Sequence, residues 1–117
     1  MPLFIQHIRR ASEAREKVLG HEHPDTLTSV SNLGLVLDRQ GKYEEAEAMH
    51  RRALEGYQDV LGHEHPDTLT SVSNLGLVLD RQGEYEEAEA MHRRALARHV
   101  EVSGRGHPPT VTTLDII

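Results

Sequence analysis

The chain has 117 residues, a formal net charge of −6 and no cysteine. That length suits one domain; the acidic balance argues against the basic face of a phosphate-backbone binder, and the lack of thiols excludes both a disulfide framework and a thiolate metal site. No apolar run approaches the roughly 18–20 residues that span a bilayer, and residues 1–8 are too short and polar for a secretion signal, so the expectation is a cytoplasmic protein with neither membrane nor nucleic acid as partner.

Alanine, leucine, glutamate and arginine are abundant beside a single phenylalanine, which is helix-forming material. Residues 1–19 align, at an offset of 42, with the second half of a longer unit: Arg9, Arg10 and Ala11 fall on Arg51, Arg52 and Ala53. Apolar residues at Phe4, Ile8, Ala11, Val18 and Leu19 recur at helical spacing, which predicts a helix over about 3–19 stopped by Gly20.

Residues 20–54, GHEHPDTLTSVSNLGLVLDRQGKYEEAEAMHRRAL, are then written out again as 62–96. The copies agree at 34 of 35 positions, with Lys42 against Glu84 the sole difference. Such a period marks a stacked-repeat architecture, in which no unit buries its apolar face alone. The units run 20–61 and 62–103, with 1–19 a preceding half unit and 104–117 a degenerate partial one, all in a single domain 1–117.

Within the unit, the segment Gly20-His21-Glu22-His23-Pro24-Asp25 is a turn, and Asp25 is placed to cap a helix starting at Thr26. Leu27, Val30, Leu33, Gly34 and Leu37 share one face of this helix A, with Gly34 expected where another backbone approaches closely. Gln40-Gly41-Lys42 ends it. Helix B opens on Tyr43, Glu44 and Glu45, carboxylates suited to the positive end of the helix dipole, and runs to about Leu61. Its inner stripe is Tyr43, Ala46, His50, Ala53, Leu54, Tyr57 and Leu61, while Glu47 and Arg51 form an i,i+4 pair outside. The second unit repeats this from Thr68 to Gln82 and from Tyr85 to about Val102. After Gly104, Val111, Leu114 and Ile117 keep the register of Leu69, Val72 and Leu75, and Thr110 stands where a cap is needed; a partial helix lying over the second repeat is expected.

The spacing of Asn32-Leu33-Gly34, Leu37, Gly41, Tyr43, Ala46, Ala53 and Leu54 resembles the tetratricopeptide repeat. The 42-residue length and the His-Pro-Asp-Thr-Leu turn resemble its kinesin-light-chain-like subclass, and the near-identical tandem copies look most like the arrays of NLR-like receptors of fungi and bacteria. The resemblance implies an all-α, right-handed α-solenoid of antiparallel helix-turn-helix repeats whose concave groove binds a peptide or protein segment. Mapped by motif position, the groove would present Thr28, Ser31, Asn32, Leu35, Asp38 and Arg39, and again Thr70, Ser73, Asn74, Leu77, Asp80 and Arg81. Lysines that clamp a C-terminal carboxylate in some relatives have no counterpart on either helix A.

The asparagines could hydrogen-bond an extended ligand backbone, the leucines could floor apolar pockets, and the arginines could pair with acidic side chains. The competing reading is that Asp38 with Arg81, or Arg39 with Asp80, simply pair across neighbouring units. Nine histidines invite a metal hypothesis, but Pro24 and Pro66 break both His-Glu-His segments where a helical zinc motif would need continuity, so turn residues are the better reading and no cofactor or metal is expected. His50 and His92 read as packed, hydrogen-bonded core residues. No Ser, His and Asp arrangement has the spacing of a nucleophile with its base. The expectation is therefore a non-catalytic interaction scaffold, part of a larger signalling or adaptor protein. The alternative is a self-assembly module, a homo-oligomer formed by stacking or exchanging helices through open repeat faces.

Overall fold

The computed structural model describes residues 2–103, with side chains from Ile5 to Ala97. The expectations for 104–117, including the cap at Thr110 and the stripe Val111, Leu114 and Ile117, lie outside the described residues. Five helices follow one another: α1 (Pro2–Leu19), α2 (Pro24–Arg39), α3 (Tyr43–Leu61), α4 (Pro66–Arg81) and α5 (Tyr85–Ser103). Each packs on its neighbour in sequence, α2 also touches α4, and the assembly measures 42 × 31 × 20 Å. Alternating helices A and B are thus α2, α4 and α1, α3, α5.

The helix boundaries follow from local chemistry. Gly20 takes φ +94°, a left-handed conformation that glycine adopts without a Cβ penalty, and its N–H donates to the Glu16 carbonyl at 2.9 Å, closing α1. Gly41, at φ +79°, turns the chain from α2 into α3, while Lys42 N–H donates back to the Leu37 carbonyl at 2.9 Å. The start of helix A differs from expectation. Pro24, not Thr26, is its first residue, and the cap is His23, whose Nδ1 accepts from the Asp25 N–H at 3.1 Å; His65 and Asp67 repeat the contact at 3.1 Å. Proline has no N–H to orphan and a preset φ, so it favours the first helical position and moves the cap to the residue before it. Asp25 lies in the first turn, where its charge suits the dipole.

Three apolar clusters run along the stack. The first joins Ile5 of α1, Leu33 and Leu37 of α2, Ala46 of α3 and Val78 of α4, with Tyr43 and Met49 against it. The second packs Leu54 of α3 against Val72, Leu75 and Leu79 of α4 and Ala88 of α5. The third is internal to the first unit, Leu27 and Val30 against Ala53 and Tyr57. Two clusters therefore cross unit boundaries, as expected where one helix pair cannot bury its own face.

On α1 the expected stripe is corrected. Ile5 and Ser12 are buried and Ile8 half-buried, whereas Ala11, Val18 and Leu19 are exposed, and the Phe4 side chain lies outside those described. The reason is that, among the described residues, the α1 backbone packs closely only on α2 and reaches α3 through the long side chains of Arg9 and Glu16, so one narrow row, 5, 8, 12 and 16, faces protein. Gly34 also differs. The group pressed against it is the His50 imidazole, not a backbone: a Cβ at Gly34 would stand 2.8 Å from His50 Cε1 and 3.0 Å from Nε2. Gly76 and His92 repeat this, with a nearest approach of 2.8 Å.

Candidate functional site

Helices α2 and α4, the two helices A, form one continuous surface of the repeat stack. Asn32, Arg39, Thr70, Leu77 and Arg81 are exposed, and Leu35, Ser73, Asn74 and Asp80 are partly so. Leu77 keeps 46% of its surface in solvent, a large apolar side chain flanked by amide, hydroxyl and charge. Thr28 is exposed but engaged: its Oγ1 lies 3.0 Å from the Pro24 carbonyl, to which it donates, and 2.8 Å from Tyr57 Oη, tying α2 to α3. Thr70 donates likewise to the Pro66 carbonyl at 3.0 Å.

Two residues assigned to the surface by motif position are not presented on it. Ser31 and Asp38 are buried, because α4 seats on α2 and α3 and covers that edge of the first unit. Asp38 Oδ2 accepts from Arg81, joining consecutive helices A, and this hydrogen bond raises the arginine's already high pKa. Of the two cross-unit pairings weighed in the sequence, Asp38 with Arg81 is formed. Asp80 instead accepts from no group on α2 among the described residues; its Oδ2 lies 3.0 Å from His92 Nε2 of its own unit.

Helices B are linked by longer side chains. Arg9 reaches Glu45 at 3.3 Å and, one period later, Arg51 reaches Glu87 at 2.7 Å while also holding Glu47 at 2.7 Å, the expected i,i+4 pair. Arg52 reaches back to Glu16 at 2.7 Å, and Arg94 to Gln58 in the equivalent place. Glu47 adds a contact from Gln82 Nε2 at 2.7 Å. Burial opposes its charge, yet the hydrogen bonds from Gln82 and Arg51 bring its pKa below the ordinary value. The hydrogen bond from Arg52 does the same for Glu16. Spacing on one helix could reveal only the i,i+4 pair; the cross-unit contacts become visible in sequence once the 42-residue offset is applied to both partners.

The histidines divide by role. His23 and His65 cap helices, and His21 pairs with Glu16 beside Arg52, so the His-Glu-His turns are occupied structurally. His21 and Glu22 of the first turn border a shallow cleft of about 210 Å³ with Leu27, Glu55, Gly56 and Asp59. Among the described residues no group of three or more His, Cys, Asp or Glu side chains is placed to hold a metal ion. His50 corrects one expectation: it is packed and wholly buried, but neither ring nitrogen has a hydrogen-bond partner, and the nearby Asp38 Oδ1 is equally bare. No described helix is long and apolar enough to cross a membrane.

The comparisons accord with this geometry. A solved structure, BtubC (BKLC) from P. vanneervenii, is similar with a TM-score of 0.77 and 25% sequence identity over 83% of this chain, which spans 38% of that one. No curated protein matches the sequence. The tetratricopeptide repeat profile matches residues 5–59, 31–99 and 73–115, so that both full units and parts of their neighbours fall within it. The chain belongs to the tetratricopeptide repeat family.

Proposed function

We propose that the chain is a non-catalytic scaffold that binds a peptide or protein segment along α2 and α4. Tetratricopeptide repeats mediate protein–protein interactions, and one observation carries the assignment to this surface. Identical sets on the two helices A, Asn32, Leu35 and Arg39 and then Asn74, Leu77 and Arg81, stay at least partly solvent-accessible although neighbouring positions are buried. An amide, an apolar side chain and a guanidinium repeated along one surface suit an extended segment whose backbone and side chains are read in turn. The residual role of Thr28, Ser31, Asp38, Thr70, Ser73 and Asp80 is to hold that surface in shape or to border it. The sequence resemblance to NLR-like arrays supports a place in a larger signalling or adaptor protein, and the cysteine-free composition supports a cytoplasmic one.

Affinity capture followed by titration calorimetry tests the surface. The combined variant Asn32→Ala, Leu35→Ala and Arg39→Ala is expected to weaken a captured partner at least tenfold. Unchanged affinity for every partner would remove the assignment.

Self-assembly is the second reading, and a specific contrast favours it. Tyr43 is packed against the first cluster with Val78 of α4, whereas its counterpart Tyr85 is 68% exposed. The α4–α5 face thus repeats a surface that a following repeat covers elsewhere in the same chain. Light scattering over a wide concentration range should then show association; a mass fixed at one chain excludes it.

A further inference from the structure

Two chemically identical sites in this chain hold their carboxylates differently. In the first unit, Asp38 sits between His50 of its own unit and Arg81 of the next; Oδ2 pairs with Arg81, while Oδ1 and both nitrogens of His50 are buried without partners. In the second, no arginine reaches Asp80 among the described residues, and its Oδ2 lies 3.0 Å from His92 Nε2. The imidazoles lie in the same place in both, flat against Gly34 and Gly76. What differs is burial and partner: the Asp38 side chain is 9% exposed against 43% for Asp80, and His92 keeps a third of its side chain in solvent while His50 has none.

We propose that the aspartate ending each helix A is a two-position contact, serving the histidine of its own repeat when no arginine reaches it and the arginine of the next repeat when that repeat is seated. A carboxylate between two cationic donors is held most strongly by the permanently charged one that offers a fork of N–H groups, so Arg81 displaces His50. The histidine left behind is dry and unpaired and stands neutral, since a buried imidazolium without a partner is costly. Seating a repeat therefore disfavours the protonated form of the histidine beneath it, so acid favours separation of the units.

The surroundings of His50 allow this reading. From α2 the charged group beside it is Asp38, and from α4 Arg81 acts through Asp38, with the Tyr43 phenol of α3 near Arg81. The adjoining cluster receives Ile5 and Ile8 from α1. Burial lowers the His50 pKa from its ordinary value, and the Asp38 charge offsets part of that. Arg81 belongs to the helix-A surface as well, but Asp38, His50 and Arg81 all lie in this chain, so the contact can be followed with no partner present.

Titration of the imidazole resonances by NMR in the full chain tests it. His50 should take its proton at a lower pH than an ordinary histidine, because its burial is uncompensated by any hydrogen bond. In Arg81→Gln the His50 curve should move to higher pH, and Arg81→Lys, which keeps a cation, should stay nearer the wild type. Adding Asp38→Asn to Arg81→Gln should abolish the upward movement. A His50 curve unmoved by Arg81→Gln, in a variant whose circular dichroism matches the wild type, would overturn the proposal.

Discussion

Gly34 and Gly76 occupy the same place in identical helices, and the tolerance of each to a methyl group depends on the histidine above it. Alanine would raise helix propensity by about 1 kcal/mol. Against that, its Cβ would meet the ring at 2.8 Å in both units, and overpacking a filled core costs about 1–3 kcal/mol. His50 is enclosed and has nowhere to go; His92 is partly in solvent and can swing aside. Gly34→Ala is therefore expected to destabilise the chain by up to about 2 kcal/mol net, and Gly76→Ala to be close to neutral. Urea denaturation of the two single variants measures this, and equal losses would show that the ring at 92 is as confined as the ring at 50. The sequence showed that a glycine in mid-helix needed a close neighbour. It could not show that the neighbour was an imidazole, because that contact joins two helices whose relative rotation is set by packing.

Between elements, two kinds of contact cross from one unit to the next, and their strengths differ. Leu54 is buried against Val72, Leu75 and Leu79 of α4, so Leu54→Ala removes apolar contacts and leaves a cavity, a loss of about 2–4 kcal/mol. Arg51 spans to Glu87 at 2.7 Å, but both side chains are 43% exposed, and such a pair contributes about 0–1 kcal/mol and weakens with salt. Arg51→Gln should thus cost a few tenths of a kcal/mol at low salt and almost nothing in molar salt, while the Leu54→Ala deficit persists in both. Chemical denaturation at two ionic strengths separates them; a larger loss for Arg51→Gln would reverse the ranking. Leu54 was legible as a stripe residue from its spacing. The helix start was less so: His23 is not among the usual capping side chains, and only the rule that proline favours the first helical position points to it. On α1 the apolar residues Val18 and Leu19 misled, since the buried row contains Ser12 and is dictated by the close packing of α2.

At the scale of the whole molecule, stability is a sum along the stack, and position within it should govern how readily each helix opens. Helix α3 has α2 on one side and α4 on the other, whereas the α5 backbone, among the described residues, packs closely only on α4 and meets α3 through the side-chain pairs of Arg51 with Glu87 and Arg94 with Gln58. The two share the 12-residue segment YEEAEAMHRRAL, residues 43–54 and 85–96, so their intrinsic amide exchange rates are nearly the same and any difference reports their surroundings. Tyr43 is packed where Tyr85 is exposed, and His50 is enclosed where His92 is not, which places the weaker protection on α5. Hydrogen exchange followed by NMR, which resolves the two copies where mass alone cannot, should find the amides of Ala46 to Leu54 exchanging at least tenfold more slowly than those of Ala88 to Leu96. Addition of anything that seats on the α4–α5 face should close that gap from the α5 side and leave α3 unchanged. Equal protection in the free chain would mean that α5 is already covered, and that the contrast between Tyr43 and Tyr85 does not mark an open face.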